Sequence, residues 1–198
     1  MRILFALATT LLLSGTVLPA SVSPVRADDA VAAPVATTRQ ARLDQLFTEL
    51  KRERNEKAAE RIAQRIWGEW AESGSASIDL MMQWSQKAMD DQKFDVALDF
   101  LDQVVILQPK YAEGWNRRAT VHYMMKNFGK SMSDIDQTLQ LEPRHFGALS
   151  GLAQIMAATG HKQSALEAWQ KVLAIYPMMR SAQDQVATLS EELAGEGI

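Results

Sequence analysis

Cysteine is absent from this chain of 198 residues. Without thiols there can be no disulfide, no thiolate metal site and no lipid-modified cysteine behind an export signal. We therefore expect a fold whose stability does not depend on the redox state of its compartment.

Histidine is almost as scarce, with only His122, His145 and His161. None of them lies in the HExxH spacing that places two imidazoles on one helical face for zinc. The sequence also lacks GxSxG, a nucleophile turn of hydrolases, and the phosphate-binding loops GxxxxGK[ST] and GxGxxG. The acidic residues are scattered, and nothing marks two of them as a catalytic pair. We therefore predict a non-enzymatic protein with no catalytic residue, no metal and no cofactor.

Long apolar stretches are missing except at the N-terminus. Arg2 is followed by an apolar run over residues 3–13, and small residues stand three and one positions before Asp28. This layout is typical of a secretory signal peptide over 1–27, and the run is short for a membrane span. The prediction is an exported, periplasmic chain that contacts the membrane only through this segment before cleavage. An uncleaved inner-membrane anchor is the alternative, because the apolar stretch up to Ala20 is borderline in length.

Neither sign of charge is in large excess. The chain has 21 basic and 24 acidic residues, and loss of Arg2 and Arg26 with the signal would change the formal net charge from −3 to −5. Nucleic acid is not expected as a partner, because it requires a clustered basic face. Residues 28–40 are small, polar and aperiodic, which predicts a flexible leader.

Proline is infrequent too, but three of the six prolines recur at a fixed interval. Pro109, Pro143 and Pro177 follow the dipeptides LQ, LE and IY, and they are spaced 34 residues apart. A proline ends a helix because it lacks the amide hydrogen and clashes with the preceding turn. A fixed period of this length is typical of stacked helical pairs.

Other positions repeat with the same period when units are counted from residues 78, 112 and 146. The fourth and twenty-fourth places hold large apolar residues, and the eighth and twentieth hold small ones. Two helices approach closely only where one of them contributes little volume, so the alternation indicates helix packing. The four columns are Met81, Trp115 and Leu149; Ser85, Ala119 and Ala153; Ala97, Ser131 and Ala165; and Leu101, Ile135 and Trp169.

The three units resemble the tetratricopeptide repeat (TPR) family. The family pattern of large, small, small and large residues with a closing proline is met by WNRRATVHY…S…I…LEP and LSGLAQIM…A…W…IYP. The departures are polar residues in the middle unit, at Arg118, His122 and Thr138. Arg118 could pair with Asp134 or Asp136 on the adjacent helix, or its stem could pack while its head reaches water.

The resemblance implies an all-α fold, a TPR-type solenoid of helical hairpins with a C-terminal capping helix. Three units are expected over 78–111, 112–145 and 146–179. Residues 180–198 are expected to form the capping helix and a tail, because repeat arrays need covered ends for solubility.

An N-terminal helical pair is predicted over residues 41–77, and we interpret it as a degenerate first repeat. Terminal repeats are atypical because one face meets water. The main departures are Lys51 in the small eighth place and Ser75 in the place of the proline. The alternative is an independent hairpin that dimerises through the stripe containing Trp67 and Trp70.

In the resembled family, the first helices of successive pairs line a concave groove that holds a peptide of a partner. Members that clamp acidic chaperone tails have lysine and asparagine in the first groove helix, where this chain has Met82 and Gln86, so that clamp is not expected. Methionine adapts to varied partners, although packing of the methionines between helices is the alternative. The same places of each unit predict the groove residues Met82, Gln86, Met89, Lys93, Asn116, Thr120, Tyr123, Met124, Asn127, Gln154 and His161.

These observations together predict a non-enzymatic interaction scaffold or adaptor. Its partner would be another protein or a peptide segment held in the groove. The alternative is a self-associating structural protein, a homo-oligomer formed through the N-terminal helical pair.

Overall fold

The computed structural model describes residues 32–195, with side chains from residue 38 onward. The predicted signal peptide, 1–27, lies outside the described residues. Within them the chain forms nine α-helices and no strand, which confirms the all-α prediction. None of these helices combines the length and the apolar character needed to cross a membrane. The helices are α1 (Ala32–Arg52), α2 (Glu56–Ala71), α3 (Ala76–Asp90), α4 (Phe94–Leu107), α5 (Ala112–Met124), α6 (Phe128–Leu141), α7 (Phe146–Ala158), α8 (Lys162–Ile175) and α9 (Arg180–Gly195).

Three helical pairs, α3–α4, α5–α6 and α7–α8, form a solenoid array. The small residues of the eighth and twentieth places are buried inside the pairs, and Ser85, Ala97, Ala153 and Ala165 have no exposed surface. A larger side chain at these places would force the two helices apart, because protein interiors are close-packed. The small residues of the 34-residue pattern therefore mark the places where the two helices of a pair approach most closely.

The turn inside each pair has the same backbone conformation in all three pairs. The fifteenth residue of each unit has a positive φ: 58° at Gln92, 60° at Lys126 and 80° at Gly160. The amide of the next residue donates to a carbonyl five residues earlier, as from Asn127 to His122 at 2.8 Å. This arrangement is a Schellman cap, which favours glycine. The third unit has glycine at this place, and the first two units hold a side chain in a strained conformation.

Of the polar residues in the middle unit, Arg118 is the centre of an ion-pair network. The Arg118 guanidinium donates to both carboxylate oxygens of Asp134, at 2.8 and 2.7 Å, and to Asp102 at 2.8 Å. Hydrogen bonding to Asp134 raises the pKa of Arg118. Asp134 is buried, so the pair needs its hydrogen bonds to offset desolvation. The predicted partner Asp134 is confirmed, and Asp136 bonds to Gln140 instead.

Helices α1 and α2 form a hairpin that lies across the turns joining successive units. Trp70 stacks on His145 with ring centroids 4.0 Å apart, and Trp67 meets Phe146 edge-on at 5.5 Å. At the turn before α5, the Tyr111 hydroxyl donates to the carbonyl oxygen of the last residue of α2, at 2.8 Å. The apolar side chains of the hairpin share one core with α7, α8 and α9. The hairpin thus runs along the edge of the array.

The interpretation of 41–77 as a degenerate first repeat is therefore wrong. A repeat in register would pack on α3 and α4, but the core of that pair contains no residue of α1 or α2 among the described residues. Lys51 stands where a small residue would permit close approach, and Gly74, with φ +81°, turns the chain at a joint that has Ser75 in the place of proline. Trp70, part of the stripe considered for dimerisation, is buried within the chain.

The segment predicted as a flexible leader, 28–40, is in part helical, because α1 begins at Ala32. Pro34 stands in the first turn of α1, where its missing amide hydrogen costs no helical hydrogen bond. Further along α1, the Arg42 guanidinium donates to both carboxylate oxygens of Glu69, at 2.8 and 2.9 Å. This ion pair joins α1 to α2.

Helix α9 covers the outer side of α8 at the other end of the array. Ala182 and Leu189 are buried there, and Val186 is half-buried against the same core. Val186 and Leu189 therefore face inward, as the sequence pattern indicates.

Candidate functional site

The first helices of neighbouring pairs, α5 and α7, enclose a hollow of about 150 Å³, here called the α5–α7 hollow. Residues of α6 contribute to its lining from below. The lining consists of Asn116, Ala119, Thr120, Tyr123, Ser131, Ile135, Gly147, Ala148, Gly151 and Gln154.

The α5–α7 hollow has an apolar floor and a neutral polar rim. Its floor contains Ile135 and buried alanines of α5 and α7. Asn116, Thr120 and Gln154 bring amide and hydroxyl groups, and Tyr123 packs its ring on Phe128 with centroids 5.8 Å apart. Of the described residues that line it, none carries a formal charge at neutral pH. A hollow of this size and character fits one large uncharged side chain.

Two glycines one helical turn apart on α7 leave one wall of this hollow without side chains. A Cβ at Gly151 would meet only Ile135 Cδ1, at 3.4 Å, which is ordinary contact. A Cβ at Gly147 would lie 2.5 Å from Cη2 and 2.8 Å from Cζ2 of Trp67. Gly147 is therefore required by the approach of the N-terminal hairpin, whereas Gly151 leaves space at the hollow.

A second hollow, of about 390 Å³, lies between α3 and α5 and is here called the α3–α5 hollow. Its walls are charged, unlike those of the first. Arg117 donates to Gln86 Oε1 at 2.9 Å and to Glu113 Oε1 at 3.0 Å, so it bridges α3 and α5. The lining consists of Ala71, Glu72, Asp79, Met82, Gln83, Gln86, Tyr111 and Arg117.

A buried acid–histidine pair connects this face to the N-terminal hairpin. His145 Nδ1 accepts from the amide of Ala148 at 3.1 Å, so Nε2 carries the hydrogen that points to Glu113 Oε2 at 3.3 Å. Burial raises the pKa of the Glu113 carboxyl, but the His145 hydrogen bond and the charge of Arg117 outweigh it, and the pKa is lowered. Because the other face of His145 stacks on Trp70, the pair fixes the hairpin relative to α5.

The structure brings some of the predicted groove residues together and separates others. Asn116, Thr120, Tyr123 and Gln154 share the α5–α7 hollow. Gln86 is exposed beside the α3–α5 hollow.

Two of the predicted methionines are buried in the core of α3–α4. Met82 and Met89 are 6% and 9% exposed and pack in the core of α3–α4, although Met82 also touches the α3–α5 hollow. They are seven residues apart and therefore lie on one stripe of α3, which faces the neighbouring helices. Their burial agrees with the alternative in which the methionines pack between helices.

Four further predicted residues line neither hollow. Met124 is 45% exposed at the end of α5. The N-cap residues just before α4, α6 and α8 are Lys93, Asn127 and His161, each directly after a residue with positive φ. The first helix of each pair ends before these three residues, so counting places along a continuous helix ran past the end of that helix.

Sequence reasoning did not single out Gly151 or Arg117 as groove residues. The available signal was the pair of glycines at the second and sixth places of α7, which correspond to Glu113 and Arg117 in the middle unit. Two glycines in one helix are costly unless a close approach needs them. The position of Trp67 over Gly147, however, could not be read from the sequence.

Comparison with known proteins identifies the family, although no protein-family model matches the chain. The chain is 50% identical over 198 residues to a TPR repeat-containing protein of Rhizobium etli, covering 97% of this chain and 96% of that protein. It is 30% identical over 117 residues to small glutamine-rich tetratricopeptide repeat-containing protein 2 of Saccharomyces cerevisiae. That match covers 59% of this chain and about a third, 34%, of the yeast protein.

Solved structures agree on the fold. The first TPR of Spaghetti (RPAP3) bound to the HSP90 peptide SRMEEVD has a TM-score of 0.56 at 20% identity, covering 59% of this chain and 93% of that chain. At this identity the likeness concerns the fold alone. Together with the near full-length relative and the 34-residue array, it shows that the chain belongs to the tetratricopeptide repeat proteins.

Proposed function

We propose that this chain is a non-enzymatic protein-binding module whose α5–α7 hollow receives one large uncharged side chain of a partner segment. The observation that carries the proposal is the neutral hollow of about 150 Å³, open along Gly151 and floored by Ile135. A charged side chain would lose its hydration there without meeting an opposite charge. An aliphatic or aromatic side chain would gain contact with the floor and with Tyr123.

The rim of the hollow supports binding of the backbone of the same segment. Asn116 and Gln154 stand on α5 and α7, on either side of the opening, and each amide group offers both a donor and an acceptor. Asn116 already donates to Glu113 at 2.9 Å, which leaves its side-chain carbonyl for a partner amide. The charged α3–α5 hollow begins at Arg117, the residue after Asn116, so a longer segment would place its polar residues there.

The family relationship supports the same proposal. TPR proteins mediate protein–protein interactions, and the RPAP3 domain described above was solved with a peptide bound. The peptide of that domain is acidic, whereas the α5–α7 hollow is neutral. We therefore propose a different type of segment for this chain, one anchored by an apolar residue.

The test is selection of peptides from a displayed random library, with wild type compared with Gly151→Leu. The leucine side chain would enter the hollow and compete with the partner side chain. Gly129→Leu is the matched control, because Gly129 is an exposed helical glycine with nothing within 4 Å of a new Cβ. We expect wild type and the control to select the same peptide motif with one apolar anchor. Gly151→Leu should bind that motif about tenfold or more weakly, as expected for a buried anchor worth at least ~1.4 kcal/mol. Equal binding by all three proteins would contradict the proposal.

We also propose that the chain is exported through residues 1–27 and acts in a bacterial periplasm. The support is the sequence layout alone, one basic residue followed by a short apolar run and small residues before Asp28. Fractionation of expressing cells, with mass spectrometry of the mature N-terminus, tests this. An N-terminus at Asp28 in the periplasmic fraction is expected, and an intact chain in the membrane fraction would favour the anchored alternative.

The N-terminal pair is less suited to self-association than its sequence suggests. Its tryptophans pack on His145 and Phe146 of the same chain, and a dimer through them would first have to open that contact.

A further inference from the structure

We propose that a second copy of this chain docks on the open end of the array, through an apolar face formed by α3 and α4. This face, here called the end face, consists of Leu80, Trp84, Val96 and Phe100. Leu80, Trp84 and Val96 are 42%, 47% and 43% exposed, and the rings of Trp84 and Phe100 are 5.4 Å apart. Beside them lies an open hollow of about 340 Å³. Exposed apolar surface of this kind marks interaction sites.

The repeat itself shows what this face does in the other units. Arg118 and Leu152 stand one and two periods after Trp84. Arg118 reaches back to Asp102 of the preceding unit at 2.8 Å, and Leu152 packs in the core that contains Ile135 of the preceding unit. In the second and third units, the residue at the place of Trp84 therefore contacts the preceding helical pair.

At α3 the part of the chain that the structure describes supplies no such pair. The N-terminal hairpin, which the sequence places just before α3, packs instead on the turns and on α7 to α9. Asp134 replaces Phe100 in the second unit, where it is buried and paired with Arg118. In the first unit these two places hold Trp84 and Phe100, and Trp84 is 47% exposed. Within residues 38–195, no helical pair packs on α3 and α4 as a preceding unit would.

The other end of the array decides the occupant. Helix α9 covers α8 and buries Ala182 and Leu189, so the α3–α4 pair of a second copy cannot stack on α7–α8 as a next repeat. The uncovered end faces of two copies can still meet each other, and such an isologous contact closes as a two-fold dimer. Trp84 and Phe100 would then pack against the same residues of the second copy, which would take the place of a preceding helical pair.

The charges around the end face are compatible with self-association. Lys87 and Lys93 both pair with Asp91, at 3.5 and 3.4 Å, and Asp95 and Asp99 are exposed in the first half of α4. A patch with both signs can be self-complementary under a two-fold axis, whereas a patch of one sign would repel its copy. The patch therefore does not oppose a homodimer electrostatically.

The size of the end face predicts a weak dimer. Helices of 15 and 14 residues are about 21–23 Å long, and two helices side by side span about 20 Å. The face thus offers roughly 400 Å² per copy, about half of the ~800 Å² per partner in a standard stable interface. We expect a concentration-dependent equilibrium between monomer and dimer, in the micromolar range or weaker.

Sedimentation equilibrium of the chain lacking 1–27, which keeps every described residue, tests the proposal. The weight-average mass of wild type should rise toward that of a dimer between low micromolar and near-millimolar concentration. Trp84→Glu should remain monomeric over this range, with unchanged helicity by circular dichroism because Trp84 is half-exposed. Met124→Glu is the matched control, since Met124 is exposed to a similar extent outside the end face, and it should associate like wild type.

Two results would overturn the proposal. A wild-type protein that is monomeric at every concentration would assign the end face to a different partner. Association of Trp84→Glu that equals wild type would place the dimer contact elsewhere, for example in the N-terminal pair, and Trp67→Ala would then identify it. Either result leaves the α5–α7 hollow and its test unaffected, because the two surfaces share no residue.

Discussion

Replacement of Gly147 by alanine tests where the N-terminal hairpin lies. The new Cβ would stand 2.5 Å from Trp67 Cη2 and 2.8 Å from Cζ2, atoms of a rigid ring that is packed between Trp70 and Phe146. Forcing an additional methyl group into such a contact costs about 1–3 kcal/mol. Alanine in a helix gains up to about 1 kcal/mol over glycine, and less in the first turn. We therefore expect Gly147→Ala to lower the free energy of unfolding by about 1–2 kcal/mol.

Gly151→Ala, one turn further along the same helix, is the matched control and should have the opposite sign. Its Cβ would meet Ile135 Cδ1 at 3.4 Å, so the substitution should stabilise the fold by about 0.5–1 kcal/mol. Urea unfolding followed by circular dichroism measures both differences.

A double-mutant cycle separates the clash from other effects of the substitution. In a Trp67→Leu background the ring is gone, and Gly147→Ala should become neutral or stabilising. If Gly147→Ala is as stabilising as Gly151→Ala in the wild-type background, the hairpin does not lie on the turn before α7, and the account of the N-terminal pair is refuted.

Two further predictions concern the turns and the buried acid. Lys126→Gly should raise the melting temperature by about 2–4 °C, because it relieves up to about 1 kcal/mol of left-handed backbone strain. Gly160→Ala, which introduces such strain, should lower the melting temperature. Equal effects of the two substitutions in thermal melting would contradict the role of positive φ. The pKa of the Glu113 carboxyl is lowered because His145 and Arg117 outweigh its burial. The carboxylate therefore contributes stability that is present above its unfolded pKa of about 4.5 and is lost as the pH falls through its folded pKa. Urea midpoints measured from pH 7 to 3 should therefore fall less steeply in Glu113→Gln than in wild type, and identical slopes would argue against this pair.

Part of the candidate site was predictable because it follows the helical repeat. Asn116, Thr120 and Tyr123 lie on one stripe of α5, and Gln154 occupies the corresponding stripe of α7, so a count of places brought them to the same hollow. The same count failed at Met89, which faces the core of its own pair, and at His161, where a turn interrupts the helix. The sequence left Asp134, Asp136 or water as partners of Arg118, and the tertiary structure selected Asp134.

The sequence of residues 78–179 by itself predicted three stacked helical pairs, because small and large residues repeat every 34 positions together with the closing prolines. The position of α1 and α2 was decided by tertiary packing. Their apolar stripes specify that the two helices bury one face, but not against which neighbour. Contacts of Trp67 and Trp70 with His145, Phe146 and Gly147, which are more than 70 residues away in the chain, made that choice. As a result, within residues 38–195, the hairpin covers one edge of the array and no helical pair precedes α3–α4, which no local pattern predicts.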